Sequence, residues 1–439
     1  MTWFPLPESD LTPHQHAAAT QAMSGRVGLL TGGPGVGKTY TAAAILQAAV
    51  AKYGASYCRV CAPTGKAAVR ITEAMQRHRI PLEATTIHRM LGVTRGGYDG
   101  GGWGFAFNRD CQLQAKLICC DESSMLGTDL AADMFQAIPE DATVLLVGDE
   151  DQLPPVTHGA VFRDFLRAGF PIGRLAEIHR NEGDIVRACK AIRDGHAWRP
   201  SPVIDMESGW NLRHIECPSA NHVKRELSAL LRRVPEPFDP IEDCQVLCTV
   251  NEKSPLARTE LNKGLQQILN PDGEPDQSHK FRVGDKVICL RNQFLRLIDD
   301  AVDDLKPSQD QEFVANGDIG RVTAVGPRKI AVRFPLPDRH CYIAGEPLTK
   351  DIDLAYAVTV HKSQGSQWPV VIYVSDDYRG ARWVASRELV YTALSRAEKL
   401  MVTLGQKDTM DLDCRREVLS GRKTFLVERL AITNTGESK

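Results

Sequence analysis

Gly32-Gly33-Pro34-Gly35-Val36-Gly37-Lys38-Thr39 stands between an apolar run, Val27-Gly28-Leu29-Leu30, and a stretch with helical texture, Thr41–Tyr53. Strand, glycine-rich turn and helix in that order match G-x-x-x-x-G-K-[ST] in both sequence and context. Phosphate binding accounts for the residue types, since glycines let backbone N–H groups curl around phosphate oxygens and the helix N-terminus adds positive potential. Lys38 reaches the β and γ phosphates, and Thr39 offers a hydroxyl to a magnesium ion, which keeps most of its waters. ATP and Mg²⁺ are the expected substrate and cofactor.

Working outward, the apolar runs YCRVCAP (57–63), AKLICC (115–120) and ATVLLVG (142–148) alternate with helical patterns, which indicates a parallel sheet covered by helices. Asp121-Glu122 follows the second of these runs, where a nucleotide site needs its acidic element. Asp121 is expected to hold magnesium, usually through water, and Glu122 to orient and deprotonate the attacking water. Without the loop upstream, such a pair would read as surface decoration. Gly148–Val156, GDEDQLPPV, sits beside the other strand ends, and Gln152 is placed to sense the γ-phosphate; the bland alternative is a Pro-terminated acidic loop.

Glycine-rich GVTRGGYDGGGWGFAFNRD (92–110) interrupts this unit as a small hairpin. Its alternating Trp103, Phe105 and Phe107 point to one buried face, while the glycine-rich flanks point to an exposed hairpin. From Phe281, the runs FRVGDKVICLRNQ, NGDIGRVTAVG and KIAVRFP give short strands broken by Gly, Asn and Pro, and α/β character returns after Asp351. A β module is therefore expected inside a second α/β domain.

Composition bounds the rest. The 439 residues are 43% hydrophobic and 25% charged, ordinary globular values. No run approaches the roughly 18 apolar residues of a membrane span. The N-terminus MTWFPLPESD lacks a secretory pattern, so a cytoplasmic location is expected. With a net charge of -2, nucleic-acid binding has to come from a local groove. The 12 cysteines show no repeated spacing, and Cys58-x-x-Cys61 has no second pair at zinc-finger distance, so reduced thiols are expected.

GGPGVGKT, APTGKAA, TIHRML, DESSM, GDEDQLPPV, HRN, VTVHKSQGSQ and YTALSRA occur in the order of helicase superfamily 1, and the set resembles its RecD/TraA branch. The resemblance runs from about Thr12 to Arg396, nearly the whole chain. It implies an α/β fold of two RecA-like parallel-sheet domains with ATP between them, a small hairpin insertion and a small SH3-like β-barrel insertion. The corresponding boundaries are 1–90 with 113–170 for the first domain, 91–112 for the hairpin, 171–280 with 351–428 for the second domain, 281–350 for the β module and 429–439 for a flexible tail.

Residues follow motif by motif. The resemblance makes Gln15 the glutamine that reads adenine, and Arg180 and Arg396 the arginines that reach the γ-phosphate from the second domain. A guanidinium supplied across a cleft ties hydrolysis to domain closure; each arginine alone would read as a surface or salt-bridged residue. Tyr40, beside Thr39, and Gly365 join Gly33, Pro34, Gly35, Val36 and Gly37 among the expected nucleotide contacts. Pro63, Thr64, Thr86, His88, Thr359, His361 and Gln364 occupy motifs that face single-stranded DNA in this family, with Lys66 adding charge along the path. The resemblance also makes the hairpin of Trp103, Phe105 and Phe107 the wedge that this branch places at the strand-separation point, Trp103 and Phe105 stacking on bases; a hairpin that packs its own small core is an equal alternative. For His88 and His361 an ordinary structural hydrogen bond is an equal alternative.

The implied activity is ATP-dependent DNA unwinding or translocation, 5′ to 3′, by a monomer open to recruitment by replication or repair proteins. Two other readings remain: an RNA helicase, because no residue selects for or against a 2′-hydroxyl, and an ATP-dependent loader or switch that does not translocate. No tyrosine pair with a histidine triad is evident, so strand nicking is not expected.

Overall fold

The computed structural model describes residues 11–95, 103–176, 183–273, 278–298, 305–335, 337–418, 421–422 and 424–435. It divides into two compact units, one formed by the chain up to 182 with 417 onward, the other by 183–416.

In the first unit the elements follow as α1 (Pro13–Ala22), β1 (Val27–Gly32), α2 (Lys38–Tyr53), β2 (Cys58–Ala62), α3 (Gly65–Arg77), β3 (Ala84–Thr86), α4 (Ile87–Met90), β4 (Val93–Arg95), β5 (Trp103–Phe105), β6 (Leu117–Cys120), α5 (Thr128–Gln136), β7 (Thr143–Gly148), α6 (Val161–Arg167) and β8 (Ile172–Leu175). Six strands form a parallel sheet in the order β3-β2-β6-β7-β1-β8. Successive residues of a strand face opposite sides, and both sides are covered. Leu30, Val60 and Leu145 meet α1, α2 and α3, while Leu29, Ile118 and Leu146 meet α5 and α6.

Helix α1 starts at a capping box, in which Thr12 Oγ1 accepts from the Gln15 N–H and Gln15 Oε1 accepts from the Thr12 N–H. It lies directly on the sheet because two facing positions are glycine. A Cβ on Gly28 would fall 1.6 Å from the Ala22 carbonyl oxygen, and one on Gly173 would fall 2.0 Å from that of Ala18.

Two expected boundaries are corrected. Strand β8 falls in the range expected for the second domain, from residue 171, but it pairs with β1 from Leu29↔Ile172 to Gly32↔Leu175 and completes the first sheet. Its physical role is to cover an edge that β1 would otherwise leave unpaired. The expected second-domain end at 428 and flexible tail from 429 also give way: residues 417 onward group with the first unit, and Leu426–Thr435 is a helix. Leu426 and Leu430 pack on the α5–α6 face, and Arg422 donates to the carbonyls of Pro155, Thr157 and Gly159 at 2.7, 3.3 and 2.7 Å.

The hairpin pairs Val93 with Phe105 and Arg95 with Trp103. Its expected tip, 96–102, lies outside the described residues, as does the side chain of Trp103. Phe105 and Phe107 are half-buried against the α5–α6 face of the first unit, which favours the packing reading for these two rings.

In the second unit come α7 (Asp184–Arg193), β9 (Leu212–Glu216), α8 (Ala220–Leu231), β10 (Cys244–Cys248), α9 (Arg258–Leu269), β11 (Lys286–Cys289), β12 (Gln293–Ile298), β13 (Pro307–Val314), β14 (Ile319–Gly326), β15 (Lys329–Pro335), β16 (Asp338–Ala344), β17 (Ile352–Leu354), β18 (Ala357–Thr359), β19 (Trp368–Val374), α10 (Arg379–Val384), α11 (Arg387–Leu394), β20 (Ala397–Gly405) and α12 (Lys407–Cys414). A parallel sheet in the order β18-β10-β19-β20-β9 carries the helices, and a seven-stranded antiparallel sheet, β13-β12-β16-β15-β14-β11-β17, is the inserted β module. The buried Asp285 ties the two sheets together, accepting from Tyr356 Oη at 2.9 Å, Gln266 Nε2 at 2.6 Å and Asn270 Nδ2 at 2.8 Å.

Candidate functional site

Strand β1 delivers the chain into the phosphate-binding loop. Gly35 and Gly37 adopt left-handed φ values of 79° and 84°, which a side chain would resist. Gly37 caps α2 without any side-chain acceptor, so the first-turn N–H groups of a 16-residue helix are not consumed by a cap. Lys38 Nζ donates to the carbonyls of Gly32 and Gly33 at 2.6 and 2.8 Å, so the ammonium bends back over the loop. Val36 is buried, whereas Gly33, Pro34, Thr39 and Tyr40 are half-buried, and the Tyr40 ring stands edge-on to His78 at 4.7 Å.

Two strands along the same sheet edge, β6 ends in the acidic pair. The Asp121 N–H bonds the Cys61 carbonyl, and the pair is almost fully buried. Burial first, and then the neighbouring Glu122 charge, push the Asp121 carboxyl up to about 6, while Arg70 and Lys38 pull it down. Glu122 has φ 52°, a left-handed conformation that costs a non-glycine residue about 1 kcal/mol or more. It is held there by its own N–H on Asp121 Oδ1 (2.9 Å) and by Ser123 Oγ on the Cys120 carbonyl (2.7 Å). Of its carboxylate oxygens, Oε1 lies 3.6 Å from Arg70 Nη1, and the buried Oε2 has no hydrogen-bond partner.

Strand β7, between them, ends in the loop of Gln152. Gly148 brings that loop against the acidic one: a Cβ there would stand 3.0 Å from the Ser124 nitrogen and from the Phe162 ring. Gln152 Nε2 donates to Asp149 Oδ2 at 3.3 Å, while its Oε1, also buried, has no partner. Thr31 Oγ1, beside Gly148 in the ladder, and Ser124 Oγ are likewise buried and unpartnered. Unmet hydrogen-bonding groups of this kind are rare in folded interiors. Here they gather at the carboxyl ends of β1, β6 and β7, the edge where open α/β sheets take their ligands.

These residues fit a magnesium–nucleotide. One carboxylate, Asp121, and one hydroxyl, Thr39, are the hard oxygen donors such an ion takes while keeping its waters, and a neighbouring cation would relieve the raised carboxyl of Asp121. Gln15 is buried with Oε1 committed to the capping box. The C-x-x-C cysteines lie buried in β2, with the Cys58 thiol pushed up to about 11 by burial, the behaviour of structural thiols.

The expected track contacts of this unit sit at helix starts along the same edge. Thr64 caps α3, its Oγ1 accepting from the Ala67 N–H at 3.3 Å, and Thr86 caps α4, accepting from the Arg89 N–H at 3.2 Å. Pro63, Thr64 and Lys66 are half-buried. His88 is held below its ordinary pKa by burial, its ring 6.0 Å from that of Phe105.

In the second unit, Thr359 ends β18 and a short turn, Val360–Ser363, leads to Gln364 and Gly365; Thr359 and Gln364 are buried, His361 is half-buried and Gly365 has φ 72°. Arg396 is 1% exposed, with Nε donating to the Thr392 carbonyl (3.1 Å), Nη1 to that of Ser366 (3.2 Å) and Nη2 to Ser395 Oγ (3.0 Å). It therefore anchors the loop that carries Gly365. Arg180 lies outside the described residues. Sequence reasoning missed Arg70, six residues beyond Thr64 on α3, and Lys362, whose ammonium bonds Asn316 Oδ1 in the β module.

Known proteins share this plan. Residues 10–205 match the model of an AAA domain, and residues 354–403 match that of a UvrD-like helicase C-terminal domain. The ATP-dependent RecD2 DNA helicase of Deinococcus radiodurans is 31% identical over 96% of this chain, which spans 52% of that protein's length. The RecBCD enzyme subunit RecD of Mycolicibacterium smegmatis is 31% identical over 95% of this chain and 74% of its own. Among solved structures, the Bacteroides Pif1 helicase in complex with ADP-AlF3 and ssDNA shares the fold at a TM-score of 0.52 and 18% identity, covering 98% of this chain and 99% of that one. Matched over nearly its whole length at this identity, the chain belongs to the RecD family of superfamily 1 helicases.

Proposed function

We propose that this chain is a magnesium-dependent ATPase that moves 5′ to 3′ along single-stranded DNA and opens duplex ahead of it. The observation that carries the reading is the cluster of unpartnered polar atoms, Glu122 Oε2, Gln152 Oε1, Ser124 Oγ and Thr31 Oγ1, at one sheet edge beside the phosphate-binding loop, in a chain of the RecD family. Relatives and neighbours point to the track: RecD2 is named an ATP-dependent DNA helicase, and the Pif1 structure holds ssDNA.

When ATP enters, the loop N–H groups hold its phosphates, and Lys38 exchanges the carbonyls of Gly32 and Gly33 for β and γ oxygens. Thr39 and Asp121 hold the magnesium ion, which neutralises phosphate charge when bound. Glu122 accepts a proton from the attacking water at Oε2, and Gln152 registers the γ-phosphate by donating from Nε2, which leaves its amide oxygen to accept from the attacking water. Arg180 supplies a guanidinium to the developing charge, and Gln15 reads the adenine. Pro63, Thr64, Lys66, Thr86, His88, Trp103, Thr359, His361 and Gln364 line the track by phosphate contacts and stacking, without reading sequence, while Phe105 packs on its own unit. The motor works as a monomer, and the RecBCD membership of its relatives suggests recruitment by repair or replication proteins. Among the described residues no helix is long and apolar enough to cross a membrane, and the proposed location is the cytoplasm.

Steady-state ATPase with and without a single-stranded DNA oligonucleotide tests the reading, with Lys38→Ala as the control for contaminating activity. Stimulation that vanishes in the variant supports it. Stimulation by RNA alone would replace it with an RNA motor, and unstimulated turnover with a partner-controlled switch.

A further inference from the structure

Arg70 belongs to none of the motif roles above, yet its guanidinium is paired with Glu122. The pair is unevenly exposed, 34% of the arginine side chain against 10% of the glutamate, so the carboxylate sits in the interior while the cation still meets solvent. Glu122 has only one carboxylate oxygen engaged in this way, the other being buried and unpartnered. Whatever fixes Oε1 therefore also fixes where Oε2 stands.

Arg70 is also part of a stiff element. Thr64, at the start of α3, lies six residues before it, about 9 Å along the helix axis at the α-helical rise. Ala67, Ala68, Ile71 and Met75 bury one side of α3, which leaves it little freedom to bend locally. Thr72 Oγ1 donates to the Ala68 carbonyl at 2.8 Å and accepts from the Ala84 N–H at 2.9 Å, fastening the helix to β3. β3 ends at Thr86, the cap of α4. Both segments assigned to the track in this unit, Pro63–Lys66 and Thr86–His88, are thus joined to the helix whose other side grips the general base.

We propose that Arg70 is a positioning residue that couples the track to hydrolysis: engagement of Pro63–Lys66 and Thr86–His88 shifts α3, and the ion pair carries that shift to Glu122, setting its free oxygen on the attacking water. The inference rests on the single-stranded DNA reading above. An ordinary stabilising ion pair would predict something different, a change in melting temperature with the stimulation by DNA intact.

The experiment compares wild type, Arg70→Ala and Arg70→Lys by kcat and KM for ATP with and without an oligothymidine, by oligothymidine affinity with a non-hydrolysable ATP analogue, and by thermal melting. For Arg70→Ala, DNA-stimulated kcat falls on the order of 10- to 100-fold, as for a misplaced catalytic group. KM for ATP and affinity for the oligonucleotide stay within about twofold. Arg70→Lys, which keeps the charge but loses the planar fork, recovers part of the loss. Arg70→Gln replaces the alanine variant should that one not fold. Undiminished stimulation in Arg70→Ala overturns the proposal, as does a loss of oligonucleotide affinity in parallel with kcat, which would make Arg70 a track contact. Failure of the motor reading is distinguishable, because it shows in the wild-type protein as absent stimulation and takes the coupling role down with it.

Discussion

Glu122→Gln separates chemistry from binding and from folding. The substitution keeps shape and volume and removes the only property a base needs, its affinity for a proton. A positioned general base contributes about 10²- to 10⁴-fold, or roughly 3 to 5 kcal/mol of barrier. The structure sets the other two terms near zero. The pair lost with Arg70 has its nitrogen 3.6 Å from the oxygen and a guanidinium one-third exposed, so its contribution to stability is at most about 1 kcal/mol. Against that loss, the variant removes a buried charge whose Oε2 has no partner and whose field helps hold the Asp121 carboxyl up near 6. Asp121 in the folded state lies above its ordinary value, so ionising it opposes folding as pH rises past that value; relieving it favours the variant at neutral pH. The melting temperature should therefore stay level or rise, ATP-analogue binding should persist, and single-turnover hydrolysis should fall by two orders of magnitude or more. Hydrolysis within about tenfold of wild type would remove Glu122 as the base and leave Asp121 or a phosphate oxygen to take the proton.

Gly173→Ala should destabilise the protein by about 1–3 kcal/mol in denaturant unfolding and raise KM for ATP, because its Cβ would meet the Ala18 carbonyl of α1 at 2.0 Å and displace the helix carrying Gln15. Arg422→Ala frees three carbonyls of the 155–159 loop; a loss of about 1–3 kcal/mol should appear as earlier proteolytic cleavage after residue 416. Lys286, buried among the carbonyls of Ile241 and Cys244, is lowered by burial to about 8, so the unfolded chain binds the extra proton between about pH 8 and 10.5 and stability rises across that window. Urea melts at either end should show the rise in wild type and a smaller one in Lys286→Met. Arg396→Ala leaves the carbonyls of Thr392 and Ser366 unmet in the interior, so melting temperature and turnover should fall together; turnover lost with an unchanged melt would mean that the arginine acts on the phosphate alone.

What the chain spells out locally was readable. Gly35, Gly37, Lys38 and Thr39 fall within one five-residue stretch, and the loops of Asp121 and Gln152 each follow their own apolar strand, so motif and element coincide. What escaped depends on partners distant in sequence. Ile172–Leu175 is only four residues with mixed burial, and nothing within it says that it pairs with β1, some 140 residues earlier. The return of Leu426 and Leu430 to the first unit is equally nonlocal, since a short amphipathic tail reads the same whether or not a face awaits it. Phe105 and Phe107 alternate as the sequence suggested, but which face they fill is decided by α5 and α6. Arg70 reads in sequence as one more charge on a solvated helix face, and only the adjacency of β2 and β6 brings Glu122 to it.

Most of the first unit obeys the rules a sequence reader relies on. Strands are apolar on both covered faces, α1 opens with a reciprocal cap, and glycines stand where backbones touch. The departures concentrate on one edge: a glutamate with φ 52°, a second carboxylate raised beside it, and buried oxygens of Thr31, Glu122, Ser124 and Gln152 left unmet. An unmet buried polar atom costs about 1–3 kcal/mol and left-handed strain a similar amount, so the edge is a place where folding alone gains little. Such a cost is tolerated where a ligand supplies the missing partners, and it biases the edge toward rearrangement when the ligand leaves. A motor needs that bias at the nucleotide, because a site already satisfied without ATP would have no reason to change when the γ-phosphate is cut. The rigid parts, α1 on its glycines and α3 on its buried face, then transmit, and the unmet edge between them switches.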